Sequence, residues 1–451
     1  MTPERSLEIL LLCDYRDQGA ATVREHVDSL IGFSCHRVRK VSILGDLPPN
    51  LDLNHFDAVV IHYSLIACHN SYVSASARAA LARFRGLKAI FIQDEYRFVD
   101  ATIAAMREIG IDVLFTCVPE GEIEKVYSTE RLPGVTKVNV LTGYVPEHLL
   151  SRPALRYADR PIDVGYRARK VPAWLGELGR EKYEIGRKFR EDAREGELVL
   201  DISFREEDRL YGDGWIDFVS CCKAMLGAES GASVFDFTGD IQRKVEKHQR
   251  RNPDVDFRTL KQLYFDDVDG QIALNQISPR CFEAAALRTL LVMYEGEYSG
   301  RMQPWRHYIP LKKDHSNHAE VVALLKDPAR ATEITEAAYR EVACNPRNTF
   351  RAFVAQFDEA ISAAFQPRHR ATLPSFSDRE LERLSAPGWI ARRRRVTRRL
   401  IETSHRLLFS GLLGHTRPET RERVQVWLKV ILHPLQQALT QLKSWLNFAS
   451  R

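Results

Sequence analysis

The chain opens with short apolar runs separated by stretches of helical spacing. Leu7 to Cys13, Asp57 to His62, Lys88 to Gln93, Val113 to Cys117 and Val135 to Leu141 are apolar segments of strand length, as expected of strands buried on both faces. Between them, Ala20 to Ile31, Ser74 to Arg85 and Arg97 to Ile109 repeat apolar residues at helical intervals. Strand and helix in alternation predict a doubly wound parallel sheet over residues 1–150.

A polar stretch, Glu147 to Pro161, interrupts this pattern, and the alternation then begins again. Ile162 to Gly165, Leu198 to Phe204, Ser233 to Phe237, Ile272 to Ile277 and Leu290 to Tyr294 are predicted strands. Trp174 to Arg190, Trp215 to Leu226, the helix start at Pro279 to Leu287, His318 to Leu325, Ala329 to Glu341 and Thr349 to Phe365 are predicted helices. Residues 151–366 thus form a second α/β unit. Ligands of such sheets bind at the carboxyl ends of the strands, so two facing units place function in the cleft between them.

Charge changes this picture at one end only. The 65 Lys+Arg and 60 Asp+Glu of the 451 residues give a formal +5, but residues 371–451 hold fifteen basic and six acidic residues. The first 370 residues are therefore slightly acidic, and 367–451 is a basic extension. Its Arg392 to Arg395, Arg398 and Arg399 precede apolar residues at helical spacing through Leu446, including Trp427. Residues 389–446 are consistent with a basic amphipathic segment on an anionic membrane surface, or with a helical hairpin packed on protein. Nucleic acid is not expected as a partner, because the Arg run belongs to no recognised binding fold. The eight cysteines form no CxxC pair and have no His at metal spacing, which predicts a reduced, intracellular chain without a zinc site. With no signal-peptide core and no run of about 18 apolar residues, a cytoplasmic protein is expected, peripheral at the inner face of the membrane if the extension binds there.

Several chemistries lack their motifs. GxGxxG after the first strand, GxxxxGK[ST] and GxSxG are all missing. The informative stretch is Ala273 to Leu311. Ser278 and Pro279 form a helix-start signature, Arg280 offers a fork for phosphate oxygens, and Glu283 follows within the first turns to accept bonds from a ribose diol. The same spacing also suits a plain capping arrangement of Ser278 with Glu283. After Ile162 to Gly165 comes a second basic cluster, Arg167, Arg169 and Lys170.

These residues resemble the donor-binding domain of GT-B glycosyltransferases, in particular the glycosyltransferase-family-4-like and spore-coat (CgeB-like) group. The family pattern has a Glu, seven residues, and a second Glu opening a small-residue helix; here Asn275 and Glu283 occupy that frame, followed by Ala284, Ala285 and Ala286. The resemblance implies a GT-B architecture of two Rossmann-like domains. It also implies that Glu283 holds the donor ribose, and that Gly165, Arg167 and Lys170 meet the diphosphate together with Ser278 and Arg280. Asn275 and the missing glycine before Leu290 are departures from the pattern.

In the first domain Asp94 and Glu95 directly follow an apolar strand and are candidates for a general base or for positioning the acceptor; capping of the next helix is the alternative. His62 is expected to be a packed strand-end residue. The function implied is transfer of a sugar from a nucleotide-sugar donor, as co-substrate, to a glycan, lipid-linked or small-molecule acceptor, as in polysaccharide biosynthesis, with no metal and no further cofactor. The alternatives are a non-catalytic GT-B-like scaffold or sugar-binding protein and, more remotely, a sugar-nucleotide epimerase.

Overall fold

The computed structural model describes residues 6–15, 21–366 and 376–385. Six parallel strands build the first sheet: β1 (Glu8–Cys13), β2 (Arg37–Ser42), β3 (Ala58–Ile61), β4 (Leu87–Ile92), β5 (Val113–Thr116) and β6 (Thr136–Asn139), in the order β2-β1-β3-β4-β5-β6. Period-two alternation splits β1 between two cores. Ile9, Leu11 and Cys13 pack with Val27, Leu30, Phe353 and Phe357, whereas Leu10 and Leu12 pack with Leu81, Ile103 and Met106. Helices therefore cover both faces, as the unbroken apolar strands require.

The charges of β2 hide it in the apolar pattern. Among the described residues RVRKVS is an edge strand paired only to β1, and Arg39 is buried within it by an ion pair to Glu8 at 2.7 Å.

In the second domain β7 (Ile162–Arg167), β8 (Leu200–Ser203), β9 (Cys222–Gly227), β12 (Leu290–Tyr294) and β13 (Ile309–Leu311) form a parallel sheet in the order β13-β12-β9-β7-β8. The order repeats that of the first sheet, and in both the chain reverses direction between the first and third strands. Binding crevices of doubly wound sheets open at such switch points.

Three expectations change here. The Trp215 to Leu226 helix ends at Cys221, and the next six residues are β9, held centrally between β7 and β12. Their Ala, Met and Leu favour helix locally, and pairing on both sides overrides that preference. Ser233 to Phe237 is no sheet strand and makes only an isolated bridge, Arg97 to Asp236. Leu274–Gln276 (β11) pairs antiparallel with Ser230–Ala232 (β10), outside the main sheet. The residues between them form the helices Asp240–Arg251 and Phe257–Tyr264, two elements that no expectation from the sequence covers.

The Phe350–Ala364 helix returns to the first domain, where Phe353 packs 4.5 Å from the His26 ring and 5.8 Å from Phe91. Next, Phe376 stacks on Phe56, and the Asp378–Leu384 helix lies along β2, where Ser42 N donates to Ser385 Oγ at 3.1 Å. Among the described residues no helix is long and apolar enough to cross a membrane. The basic stretch 389–446 lies outside the described residues.

Candidate active site

The Pro279–Ala286 helix begins just beyond β11. Its N-cap Ser278 is extended, at φ −78° and ψ 142°, and makes no side-chain hydrogen bond to the helix. The capping arrangement is therefore not formed. Glu283 is held elsewhere: its Oε2 accepts a 2.8 Å hydrogen bond from Trp215 Nε1. Burial raises the Glu283 carboxyl above its ordinary value, while the indole bond, Arg280 and His148 pull it back.

Exposed beside this pair, Arg280 places its guanidinium 4.8 Å from the Trp215 ring centre, and its Nη1 donates to the Arg167 carbonyl at 2.6 Å. The two motifs read separately from the sequence thus meet, but through the Arg167 backbone. The Arg167 side chain is committed to the protein. It donates to the carbonyls of Asp208 and Asp201 at 3.1 and 2.8 Å, pairs with the Asp201 carboxylate at 2.9 Å, and lies 4.2 Å from the Phe218 ring centre. Gly165 is likewise internal to β7, where a Cβ would come within 2.9 Å of Phe218 Cζ, so packing rather than ligand approach requires glycine there. Lys170 is exposed, its Nζ 6.0 Å from the Tyr183 ring centre.

Spacing did not reveal Lys182, on the Gly176–Asp192 helix. Burial first, then the charge of Arg280, opposed by Asp94 and joined by Arg169, brings its amine down to about 8. Cations of the second domain and a carboxylate of the first therefore act on one buried amine. Asn275 does not stand alone either. Its Nδ2 lies 3.4 Å from Oε1 of Glu229, a buried carboxylate that also accepts from the Glu297 and Tyr298 backbone N–H groups at 3.0 and 2.7 Å.

Adjacent in sequence, Asp94 and Glu95 separate in space. Asp94 is exposed at the carboxyl edge of β4. Glu95 is turned into the core, 2% exposed, accepting from Thr116 Oγ1 at 2.5 Å and from Cys117 N at 2.6 Å. It ties the end of β5 and is no base for an acceptor; burial raises its carboxyl to about 7. His62 is packed as expected, with its Nε2 3.0 Å from His26 Nδ1. Burial lowers both imidazoles, His26 to about 3, so they are neutral.

A first-domain residue that the sequence reading overlooked faces Glu283. Thr22, Glu25 and His26 of the Ala21–Phe33 helix line one opening with Thr142, Gly143, Pro279 and Glu283. Burial first, then repulsion from Glu283, raises the Glu25 carboxyl to about 7. The turn after β6 is fixed tightly here. Thr142 Oγ1 donates to the Ile277 carbonyl at 2.7 Å, and a Cβ on Gly143 would come within 2.7 Å of Pro279 Cγ.

No family model matches the chain, and no curated protein matches it in sequence. Solved structures do match. An α-glucosyltransferase in complex with UDP and a 13-mer DNA containing a HMU base superposes with a TM-score of 0.52 at 13% identity, over 80% of this chain and 100% of that one. An α-glucosyltransferase in complex with UDP-glucose and DNA containing an abasic site gives 0.47 at 14%, over 80% and 100%. T4 phage BGT in complex with its UDP-glucose substrate gives 0.44 at 12%, over 80% and 99%. The first of these corrects one expectation: a chain of this architecture holds DNA beside UDP, so a nucleic-acid partner is not excluded by the lack of a recognised binding fold. The architecture is the GT-B fold of glycosyltransferases, two doubly wound domains joined by a returning helix, with carboxylates of both domains meeting at one seam.

Proposed function

We propose that the chain is a glycosyltransferase that moves a sugar from a nucleoside-diphosphate sugar to an acceptor hydroxyl. The observation that carries this reading is Glu283, which is released from capping, oriented by Trp215, flanked by Arg280 and set opposite Glu25. A carboxylate so placed accepts hydrogen bonds from a ribose diol. Arg280, Arg169 and Lys182 supply positive charge for a diphosphate that gains negative charge as the glycosidic bond breaks, without calling on a metal ion or further cofactor. Asp94, exposed at the carboxyl edge of β4, is the residue to take the acceptor proton in an inverting reaction or to position the acceptor in a retaining one.

The acceptor classes in this reading are a glycan, a lipid-linked sugar, a small molecule and, from the likeness to the DNA-bound α-glucosyltransferase, a nucleic acid. Placement in the CgeB-like group and a role in polysaccharide biosynthesis belong to the same proposal, supported by the Asn275 to Glu283 frame. Calorimetry with UDP, GDP and TDP, followed by transfer assays with the sugar form of whichever binds, tests the reading. Saturable binding that is lost in Glu283→Ala supports it; no binding of any nucleotide overturns it.

A further inference from the structure

We infer that Cys35, His36 and Asp358 form a binding site for one divalent transition-metal ion of the zinc class, clamping the returning helix to the first domain. The sulfur of Cys35, one ring nitrogen of His36 and one carboxylate oxygen of Asp358 all lie within 4.8 Å of one another, and Cys35 Sγ is 3.9 Å from His36 Nδ1. Ligand bonds of about 2.0–2.3 Å at tetrahedral angles place ligand atoms about 3.3–3.8 Å apart, so the Cys35–His36 pair is already near ligand spacing and the wider contacts close by small side-chain rotations. Thiolate, imidazole and carboxylate are the donors such ions take.

The surrounding bonds already hold the ligands in the required states. His36 Nε2 lies 3.1 Å from Ser362 Oγ; when that nitrogen carries the proton, Nδ1 keeps its lone pair, which now accepts a long 3.5 Å bond from Leu7 N that an ion on the Cys35 side would displace. Asp358 Oδ1 accepts from Ser34 Oγ at 2.5 Å and Oδ2 from Cys35 N at 2.8 Å, which fixes the carboxylate and leaves a lone pair on each oxygen. His36 and Asp358 are buried, while Cys35 is exposed, so water completes the coordination. On binding, a metal–sulfur bond replaces the S–H bond, the thiol proton passes to solvent, and the ion exchanges three of its waters for protein ligands. The first domain supplies Cys35 and His36, and the Phe350–Ala364 helix supplies Asp358, so the ion joins segments more than 300 residues apart.

Full-length protein stripped with chelator and titrated with Co2+ tests this. The expected result is one equivalent bound, with a near-ultraviolet thiolate-to-cobalt band that Zn2+ displaces, and a melting temperature raised by Zn2+. Cys35→Ser abolishes the band and the thermal shift while folding normally in its circular dichroism. Ser362→Ala, which removes only the partner of Nε2, weakens Co2+ binding about tenfold. Cys344→Ser, at the other exposed thiol, changes nothing. A wild-type protein without the band, or a band that survives Cys35→Ser, overturns the site and leaves the cluster a hydrogen-bonded latch.

Discussion

The indole nitrogen of Trp215 donates to the carboxylate of Glu283 across 68 positions of sequence, and that bond decides which way Glu283 faces. Trp215→Phe keeps a ring beside Arg280 but removes the donor. A hydrogen bond to a charged group is worth about 1.5–3 kcal/mol, so its loss should lower the melting temperature, and with the Glu283 carboxylate no longer oriented nucleotide affinity should fall about tenfold or more in calorimetry. Unchanged affinity would show that Glu283 does not touch the donor.

Arg280 and Arg167 should behave oppositely. Arg280 is exposed and, among the described residues, donates to a single carbonyl, so Arg280→Ala is expected to weaken nucleotide binding while leaving thermal stability in place. Arg167→Ala removes the donors of two carbonyls and the ion pair to the half-exposed Asp201 carboxylate, and should cost about 1–3 kcal/mol in urea unfolding.

Neighbouring carboxylates give a second contrast. Asp94→Asn is expected to lower turnover without lowering the melting temperature. Glu95→Ala removes the acceptor of the Thr116 hydroxyl, which keeps only its bond from Val118 N, and leaves the Cys117 N–H buried without its partner, at about 1–3 kcal/mol, and should lower stability first.

Glu25 makes the site sensitive to pH. Its folded value of about 7 lies above the ordinary 4.5, so the folded protein binds the extra proton between those values. The stability it contributes is present below about 4.5 and is lost as pH rises through 7. A charged Glu25 would also repel an incoming diphosphate, so nucleotide affinity should decline as pH rises through 7. Glu25→Gln should flatten both profiles. His26 works in the opposite direction: held near 3 against an ordinary 6.5, it removes stability as pH falls below 6.5.

Much of this architecture was legible in the sequence because doubly wound strands are continuous apolar runs. Leu290 to Tyr294 was read to the residue, and the helix start at Pro279 was found. β2 was missed because an edge strand tolerates charge, and β9 because its helix-favouring residues become strand only between two neighbours. In the candidate site, Ser278, Arg280 and Glu283 announce themselves by spacing along one helix. Glu25, Lys182 and Trp215 do not, since each is brought to the seam from another element and nothing local marks it. Side-chain direction was equally hidden: Arg167 and Glu95 sit at the right strand ends but turn into the protein.

The Asp378–Leu384 helix on β2 sets where the chain can safely be cut. Shortened after residue 366, the protein would bare the outer row of peptide groups on an edge strand, a template for pairing with another molecule. Such a protein would sediment by self-association, and a liposome pelleting assay would then report clumping as membrane attachment. A cut after Ser385 keeps the strand covered and isolates what the basic extension itself does.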